Sequence, residues 1–503
     1  MGNIIARSLQ AAVLGFALLG SAGAKAPNIV FILADDLDAA AAAQMAGVKK
    51  LITDEGTNFR HHYVSLSLCC PSRTTTLRGQ FSHNTGIFKN ELPDGGFGTF
   101  YAKGEESSTV ATWLSDAGYR TALFGKYLNG YPEGGPSNSY IPPGWTEWMS
   151  PVAGTPYKGF NYTMNHNGAM EAHGKADADY LTDVISNAAA DFIRRSVDQH
   201  PDKPFFIYLA PYAPHAPAIP APRHENTFKN LKVPRGPSFN ESDVSDKPNW
   251  VRTLPLLTSA EIADMDKLYR KRRQSLLAID DMVENVIKTL QAKGELDNTF
   301  VIFTSDNGYH QGQHRLDSGK MTAFEEDLLI PMSVRGPGVP VKQTVDHITA
   351  NVDYASTFAE IGGATVPAFV DGRSLVPFFK GLTPPSWRAA LLLENKDGAS
   401  PTLRNADSPL EPSDPFEMRV KPAGDGQGID GFMGLRVNDG TTYLEYTTGE
   451  YELYGNSFDA AQLRNSYTVA SPLTKQRLAA WLAALKNTAG AELRAAELHP
   501  PER

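Results

Sequence analysis

Apolar residues along this chain fall into two recurring patterns. Asn28–Ala34, Arg120–Phe124, Pro204–Leu209 and Thr299–Phe303 are short, nearly continuous apolar runs, the signature of strands buried on both faces. Between them, Leu181, Val184, Ile185, Ala188, Phe192 and Ile193 recur at helical spacing, as do Met282, Val283, Val286, Ile287 and Leu290. Each set predicts a helix with one apolar face. Thr258 followed by Glu261 predicts a capping box at the start of the second helix. Strands alternating with helices, with no internal repeat, predict an α/β fold: a large, mostly parallel sheet sandwiched by helices.

The pattern changes in three places. Tyr212 to Val251 is rich in Pro and polar residues and reads as a long surface excursion suited to binding substrate. The Pro-rich stretch Leu382 to Trp387 divides a catalytic domain, residues 25–383, from a small C-terminal α+β subdomain, 384–503. That subdomain shows strand-like runs at Arg388–Glu394, Gly434–Val437 and Thr442–Tyr446. It closes with a helix, Leu473–Leu485, carrying Leu478, Trp481, Leu482 and Leu485 on one face. At the N-terminus, Arg7, the apolar run Ala11–Leu19 and Ala22-Gly23-Ala24 read as a signal peptide, residues 1–24, cleaved near Ala24. The run is too short to span a bilayer. The expected product is an exported protein, periplasmic, extracellular or lysosomal, with no stable membrane anchor.

Composition narrows the function. In 503 residues, 47 Lys and Arg face 56 Asp and Glu, a net charge of −9, so no basic excess exists to engage nucleic acid. Hydrophobic residues at 41% and charged residues at 20% exclude a rod, a disordered chain and a polytopic membrane protein. The two cysteines, Cys69 and Cys70, are adjacent, which excludes a disulfide framework. Two thiols side by side in an exported chain point to a chemical use for one of them.

Polar residues follow each predicted strand. Asp35-Asp36 follow the first, Gly125-Lys126 the second, Pro211 to His215 the third, and Asp306-Asn307 the fourth. Ligand sites in open α/β sheets form outside the carboxyl ends of the strands, so four segments deliver polar groups to one edge. Asp35, Asp36, Asp306 and Asn307 offer only oxygen ligands, the set a hard cation such as Ca²⁺ or Mg²⁺ takes. Arg73, Lys126, His215 and Lys320 are the cations available to offset three carboxylates.

Cys69-Cys70-Pro71-Ser72-Arg73, continuing to Gly79, resembles the signature of the type I sulfatases of the alkaline-phosphatase superfamily. Asp35-Asp36, Gly125 to Asn129, Ala213-Pro214-His215, Ser305 to His310, Lys320 and Pro331 to Gly338 match in register. The Gly-Lys-Tyr-Leu-Asn and Asp-Asn-Gly-Tyr-His forms look most like the N-acetylglucosamine-6-sulfatase and heparan endosulfatase branch. Leu128 stands where many arylsulfatases carry a His. The resemblance implies conversion of Cys69 to formylglycine by a formylglycine-generating enzyme. It also implies one Ca²⁺ held by Asp35, Asp36, residue 69, Asp306 and Asn307. Arg73 would then hold the aldehyde hydrate, Lys126 and Lys320 the sulfate oxygens, and His215 would bind sulfate or protonate the leaving oxygen. Asn129, His310 and His314 are implied as substrate-binding residues.

The implied reaction is hydrolysis of a sulfuric ester, a sugar 6-sulfate or an aryl sulfate. One hydroxyl of the hydrate attacks sulfur; the second then loses its proton and drives sulfate out. Pro71 suits a first helical turn, which would place residue 69 at a helix N-terminus, a position that favours anions. Two alternatives stay open: a phosphomonoesterase, phosphodiesterase or phosphonate hydrolase of the same superfamily, and a catalytically silent carbohydrate-binding protein.

Overall fold

The computed structural model describes residues 25–396 and 429–501; the expected signal peptide, 1–24, lies outside the described residues. Ten strands form one mixed sheet. Its five central strands run parallel in the order Thr299–Ser305, Asn28–Ala34, Phe205–Ala210, Arg120–Gly125 and Glu147–Gly154. The four predicted strands are all present, Asn28–Ala34 with the expected bounds and the other three extended at the carboxyl end or shifted by a residue.

Every residue of Asn28–Ala34 is buried because helices cover both sides. Ile29, Phe31 and Leu33 join Phe206, Tyr208 and Ile302 beneath Trp113, Tyr354 and Phe358. Val30, Ile32 and Ala34 join Ile207, Leu209 and Phe303 beneath Ile185, Phe192, Ile279 and Met282. The second set belongs to helices Leu181–Gln199 and Ser259–Ala292, the latter opened by the Thr258–Glu261 capping box. Full burial of side chains this size is worth about 1.5–3 kcal/mol each, which makes this central strand the anchor for the loop that follows it.

The sheet edges escaped the sequence pattern. Tyr162–His166 and Ala169–His173 add antiparallel strands on one side, and Thr57–Phe59, Met332–Arg335 and Gln343–Val345 extend the other. These strands are short, and the register between Glu147–Gly154 and Tyr162–His166 shifts between Pro151 and Ala153, so no clean alternation marks them.

Near the C-terminus, Ala390–Asn395, Phe432–Val437, Thr441–Tyr446 and Tyr451–Gly455 form an antiparallel sheet in that order. The last strand was not legible beforehand. Helix Pro472–Leu485 buries Leu478, Trp481, Leu482 and Leu485 against it. The same apolar cluster takes in Tyr63, Val64, Leu66 and Leu68, the residues leading into Cys69, and Glu394 N donates to Ser65 O (2.9 Å). The small sheet thus backs the segment that enters helix Cys69–Arg78. Among the described residues, no helix is long and apolar enough to cross a membrane.

One expectation needs correcting. The stretch from Tyr212 to Val251 is not a surface excursion throughout. Ala213, His215, Ala216, Ala221, Val233, Glu241, Lys247 and Trp250 are buried along it. Ala213, Ala216, Ala221 and Val233 pack against Ser259–Ala292, while Glu241 meets His314, Lys247 the Leu463 carbonyl and Trp250 the cluster under the small sheet.

Candidate active site

Helix Cys69–Arg78 starts at the edge where the central strands end, and Cys69 through Leu77 are all buried. Leu68, at the N-cap, is extended and offers no capping side chain. The Cys70 amide donates instead to Asn90 Oδ1 of a distant loop (2.9 Å). Gly79 ends the helix with φ 66°, a left-handed turn that suits glycine. Both cysteines are free thiols, but they face different surroundings. Cys70 joins an apolar cluster with Leu77 and Phe97.

Cys69 Sγ faces polar groups. It lies 3.4 Å from Asp35 Oδ1 and 3.7 Å from Asp36 Oδ1, and accepts from Lys320 Nζ at 2.9 Å. Lys320 also donates to Asp36 Oδ1 (2.7 Å), and Lys126 Nζ donates to Asp35 Oδ2 (2.8 Å). Arg73 Nε donates to Asp306 Oδ2 (2.8 Å) and Nη1 to Lys126 O (3.0 Å). His215 Nε2 stands 3.5 Å from Asp36 Oδ2. Four segments that follow four strands, one helix and the segment carrying Lys320 therefore converge on one buried point.

Asp35, Asp36, Cys69 and His215 place one ligand atom each within 4.8 Å of one another. Asp306 and Asn307 both bond to Asp36. Asp306 Oδ1 accepts the Asp36 amide (3.0 Å), and Asn307 Nδ2 donates to Asp36 Oδ1 (2.7 Å). Asp36 Oδ2 and Asn307 Oδ1 are buried acceptors with no hydrogen bond. Buried acceptors left in this state carry a cost of about 1–3 kcal/mol each, and a hard divalent ion would satisfy both. The donor set fits such an ion.

The charges agree. Burial opposes ionising Asp35, but Lys126, His215, Arg73 and Lys320 outweigh it and hold the carboxyl far below its usual range. Burial pushes Asp306 upward, against Arg73 and with Asp35 adding to the rise. Burial, reinforced by Asp306, also raises the Cys69 thiol well above its ordinary value, against Lys126 and Lys320. A thiol there stays protonated, and a thiol is a far weaker nucleophile than its thiolate.

Three expected binding residues each have partners of their own. His310 Nδ1 pairs with Asp327 (2.9 Å) and His314 Nδ1 with Glu241 (2.6 Å), with His314 stacked on Phe324. Both histidines are engaged by carboxylates outside the Cys69 cluster. Asn129 is buried and its carbonyl accepts from Phe97 N (2.7 Å). Two neighbours of the cluster were missed. Lys126 Nζ lies 5.1 Å from the Tyr157 ring centre and 5.8 Å from that of Tyr212, and Tyr157 lies 4.5 Å from the His215 ring. Tyr212 stands two residues after a buried strand and could have been suspected. Tyr157 sits in a turn between Glu147–Gly154 and Tyr162–His166, where no pattern signals it.

Residues 27–364, more than half of the chain, match the family model described as Sulfatase. The chain belongs to the sulfatase family. It is 36% identical over 402 residues to the N-acetylglucosamine-6-sulfatase of Homo sapiens, 78% of this chain and 71% of that one. It is 39% identical over 360 residues to the extracellular sulfatase SULF-1 homolog of Drosophila melanogaster, but spans only 32% of that protein's length. Among solved structures, this sulfatase superposes on BT4656, determined in complex with its substrate D-glucosamine-2-N,6-O-disulfate. The TM-score is 0.71 at 22% identity, covering 91% of this chain and 97% of that one. That likeness establishes the shared fold: a large, mostly parallel sheet between helices with a small antiparallel sheet after it.

Proposed function

We propose that this sulfatase hydrolyses sulfate monoesters, a sugar 6-sulfate or an aryl sulfate, with residue 69 as nucleophile after conversion to formylglycine. The observation that carries the reading is the position of Cys69 Sγ, at a helix N-terminus between Lys320, Asp35 and Asp36. A protonated thiol in that place is chemically idle, whereas the aldehyde made from it supplies, once hydrated, two hydroxyls on one carbon. Asp35, Asp36, Asp306 and Asn307, with residue 69, would hold one Ca²⁺. The ion's contribution there is to acidify an oxygen ligand and offset negative charge on the ester.

The side chains divide the remaining work. Arg73, Lys126 and Lys320 balance Asp35, Asp36 and Asp306 in charge, so a divalent ion leaves the site with a positive excess for an anionic ester. Lys126 and Lys320 bind sulfate oxygens, and Arg73, anchored on Asp306 and the Lys126 carbonyl, holds the aldehyde hydrate. His215 Nδ1 donates to the Ala216 carbonyl (2.7 Å), so it is the imidazolium, with Nε2 also protonated beside Asp36 Oδ2 (3.5 Å), that delivers its Nε2 proton to the leaving oxygen. The helix dipole favours the anion at residue 69. The branch resemblance and the human relative support a glucosamine 6-sulfate over an aryl sulfate. The reading also takes the mature protein as exported, matured by a formylglycine-generating enzyme, and divided near residue 383.

A paired assay tests it. With p-nitrophenyl sulfate, p-nitrophenyl phosphate and N-acetylglucosamine-6-sulfate, turnover should favour the sulfates and fall with a calcium chelator. Intact mass should show Cys69 converted. Faster phosphate hydrolysis by a zinc-loaded protein would overturn the reading in favour of a phosphoesterase.

A further inference from the structure

Arg272 projects from the middle of helix Ser259–Ala292 and is 1% exposed. Its Nη2 donates to the Asp36 carbonyl (2.6 Å) and its Nη1 reaches the Pro214 carbonyl (3.4 Å). The guanidinium carbon lies 4.1 Å above the centre of the Tyr309 ring. One carboxylate, Asp38, stands at 3.3 Å, and Arg272 Nε makes no hydrogen bond. The three contacted segments follow three different strands, Asn28–Ala34, Phe205–Ala210 and Thr299–Ser305, and carry Asp35-Asp36, His215 and Asp306-Asn307.

Asp36 explains why a clamp is needed. Its φ is +62°, a left-handed conformation that an aspartate adopts at some cost. Its amide donates to Asp306 Oδ1 (3.0 Å) and its carbonyl accepts from Arg272, so both flanking peptide units are pinned. The Asp36 carboxylate in turn meets Lys320, Asn307 and His215. Burying a guanidinium is costly, and an apolar side chain would fill the helix face at less expense, as neighbouring Leu276 and Ile279 do. A planar fork with two donor edges and a stacking face is what the place uses, and a lysine offers none of that geometry.

We propose that Arg272 is a positioning residue of this site, a clamp that fixes Asp36 and the Pro214–His215 turn against Tyr309. It acts through the ligand set and the proton donor and touches neither ester nor ion. The proposal rests on the sulfatase reading only for its turnover arm; its binding arm stands without it.

The test compares Arg272→Met and Arg272→Lys with wild type by calorimetric titration with Ca²⁺ alone, by thermal melts of the calcium-free proteins, and by kcat and KM on p-nitrophenyl sulfate. Residues that orient metal ligands are typically worth about 10–100-fold in affinity or activity. Arg272→Met should lose that much in Ca²⁺ affinity and in kcat with KM near wild type, and Arg272→Lys should fall between. A folded Arg272→Met with wild-type affinity and kcat overturns the clamp, even with a lower melting temperature; if it does not fold, Arg272→Lys decides on the same criterion. Wild type that binds Ca²⁺ but turns over no sulfate ester overturns the sulfatase reading and leaves the binding arm to judge the clamp. Wild type that turns over the ester without binding Ca²⁺ leaves kcat to judge it. Protein that does neither overturns both.

Discussion

Arg73 and Arg388 are both fully buried guanidiniums facing carboxylates, yet their surroundings end differently. Arg388 forms a two-pronged pair with Asp353 (2.6 and 2.7 Å) and donates its Nε to Glu497 (3.1 Å). The amides of Ala350 and Arg373 fill the remaining acceptors of Asp353, and Arg373 Nε takes the other Glu497 oxygen. No side-chain polar atom of Arg388, Asp353 or Glu497 is left without a hydrogen bond. Around Arg73 the network stays open: Arg73 Nη2, Asp36 Oδ2 and Asn307 Oδ1 are buried without one. A closed cluster serves the fold, joining the C-terminal segment to the sheet domain. An open one waits for groups the chain does not contain, which is where buried unsatisfied atoms are informative.

The largest effects should come from the open cluster. Cys69→Ala should abolish turnover and leave the melting temperature near wild type, while Cys70→Ala, which trims an apolar contact, keeps its activity. The reverse outcome in steady-state assays would refute both the register of the motif and the nucleophile. Next, Asp306→Ala should lose the bound divalent ion, read by metal analysis of purified protein, and turnover with it. If Asp306→Ala retained stoichiometric Ca²⁺, the orphaned acceptors would need another explanation.

How much of this was legible beforehand follows from the same contrast. The open cluster was readable because its residues cluster in short motifs after strongly apolar runs: Asp35-Asp36, Cys69 to Arg73, Lys126, His215 and Asp306-Asn307. The closed one was not, since Asp353, Arg373, Arg388 and Glu497 are single charges scattered over the chain with no pattern to join them. Arg272 was hidden in the same way, as a charge within a charged stretch, Lys271-Arg272-Arg273, of an otherwise well-predicted helix. The misread excursion after Tyr212 shows a further limit. Pro and polar residues mark irregular backbone, and composition cannot tell irregular backbone on the surface from irregular backbone crossing a site.

His215 separates binding from acid catalysis within the open cluster. Removing a preorganised donor typically costs about 10²–10³-fold in kcat. His215→Ala should show a loss of that order on N-acetylglucosamine-6-sulfate, whose alkoxide leaving group needs a proton, and a smaller loss on p-nitrophenyl sulfate. Equal losses in kcat/KM on the two substrates would reject the acid role and leave His215 as a sulfate ligand.

Breaking the closed cluster should change stability and leave chemistry alone. Arg388→Met strands Asp353 without its cation and leaves Glu497 with Arg373 alone, and removing one partner of a buried ion pair typically costs about 3–5 kcal/mol. The denaturant midpoint should fall accordingly, while kcat per folded molecule stays at the wild-type value. A large fall in kcat with an unchanged midpoint would show that the two clusters are coupled and that the distinction between them fails.

The smallest effect concerns a closed pair lying just beyond the catalytic helix. His83 Nδ1 faces Glu394 Oε2 and its Nε2 faces the Thr488 carbonyl, both at 3.0 Å. With acceptors on both sides, the imidazole serves as donor twice, which requires the charged form. Burial lowers its pKa, but Glu394 and the Thr488 carbonyl outweigh that and raise it above the usual histidine value. A folded-state pKa above the unfolded one means the contribution is complete at pH below the unfolded value, about 6.5, and fades as pH rises through the folded value. The melting-temperature gap between wild type and His83→Gln should therefore be wider at about pH 5 than at about pH 9. Glu394 still accepts the Ser82 amide in the variant, which keeps the gap below that of Arg388→Met. A gap that does not vary with pH would show that His83 acts as a neutral hydrogen-bonding group, and a gap that widens toward alkaline pH would reverse the assigned sign.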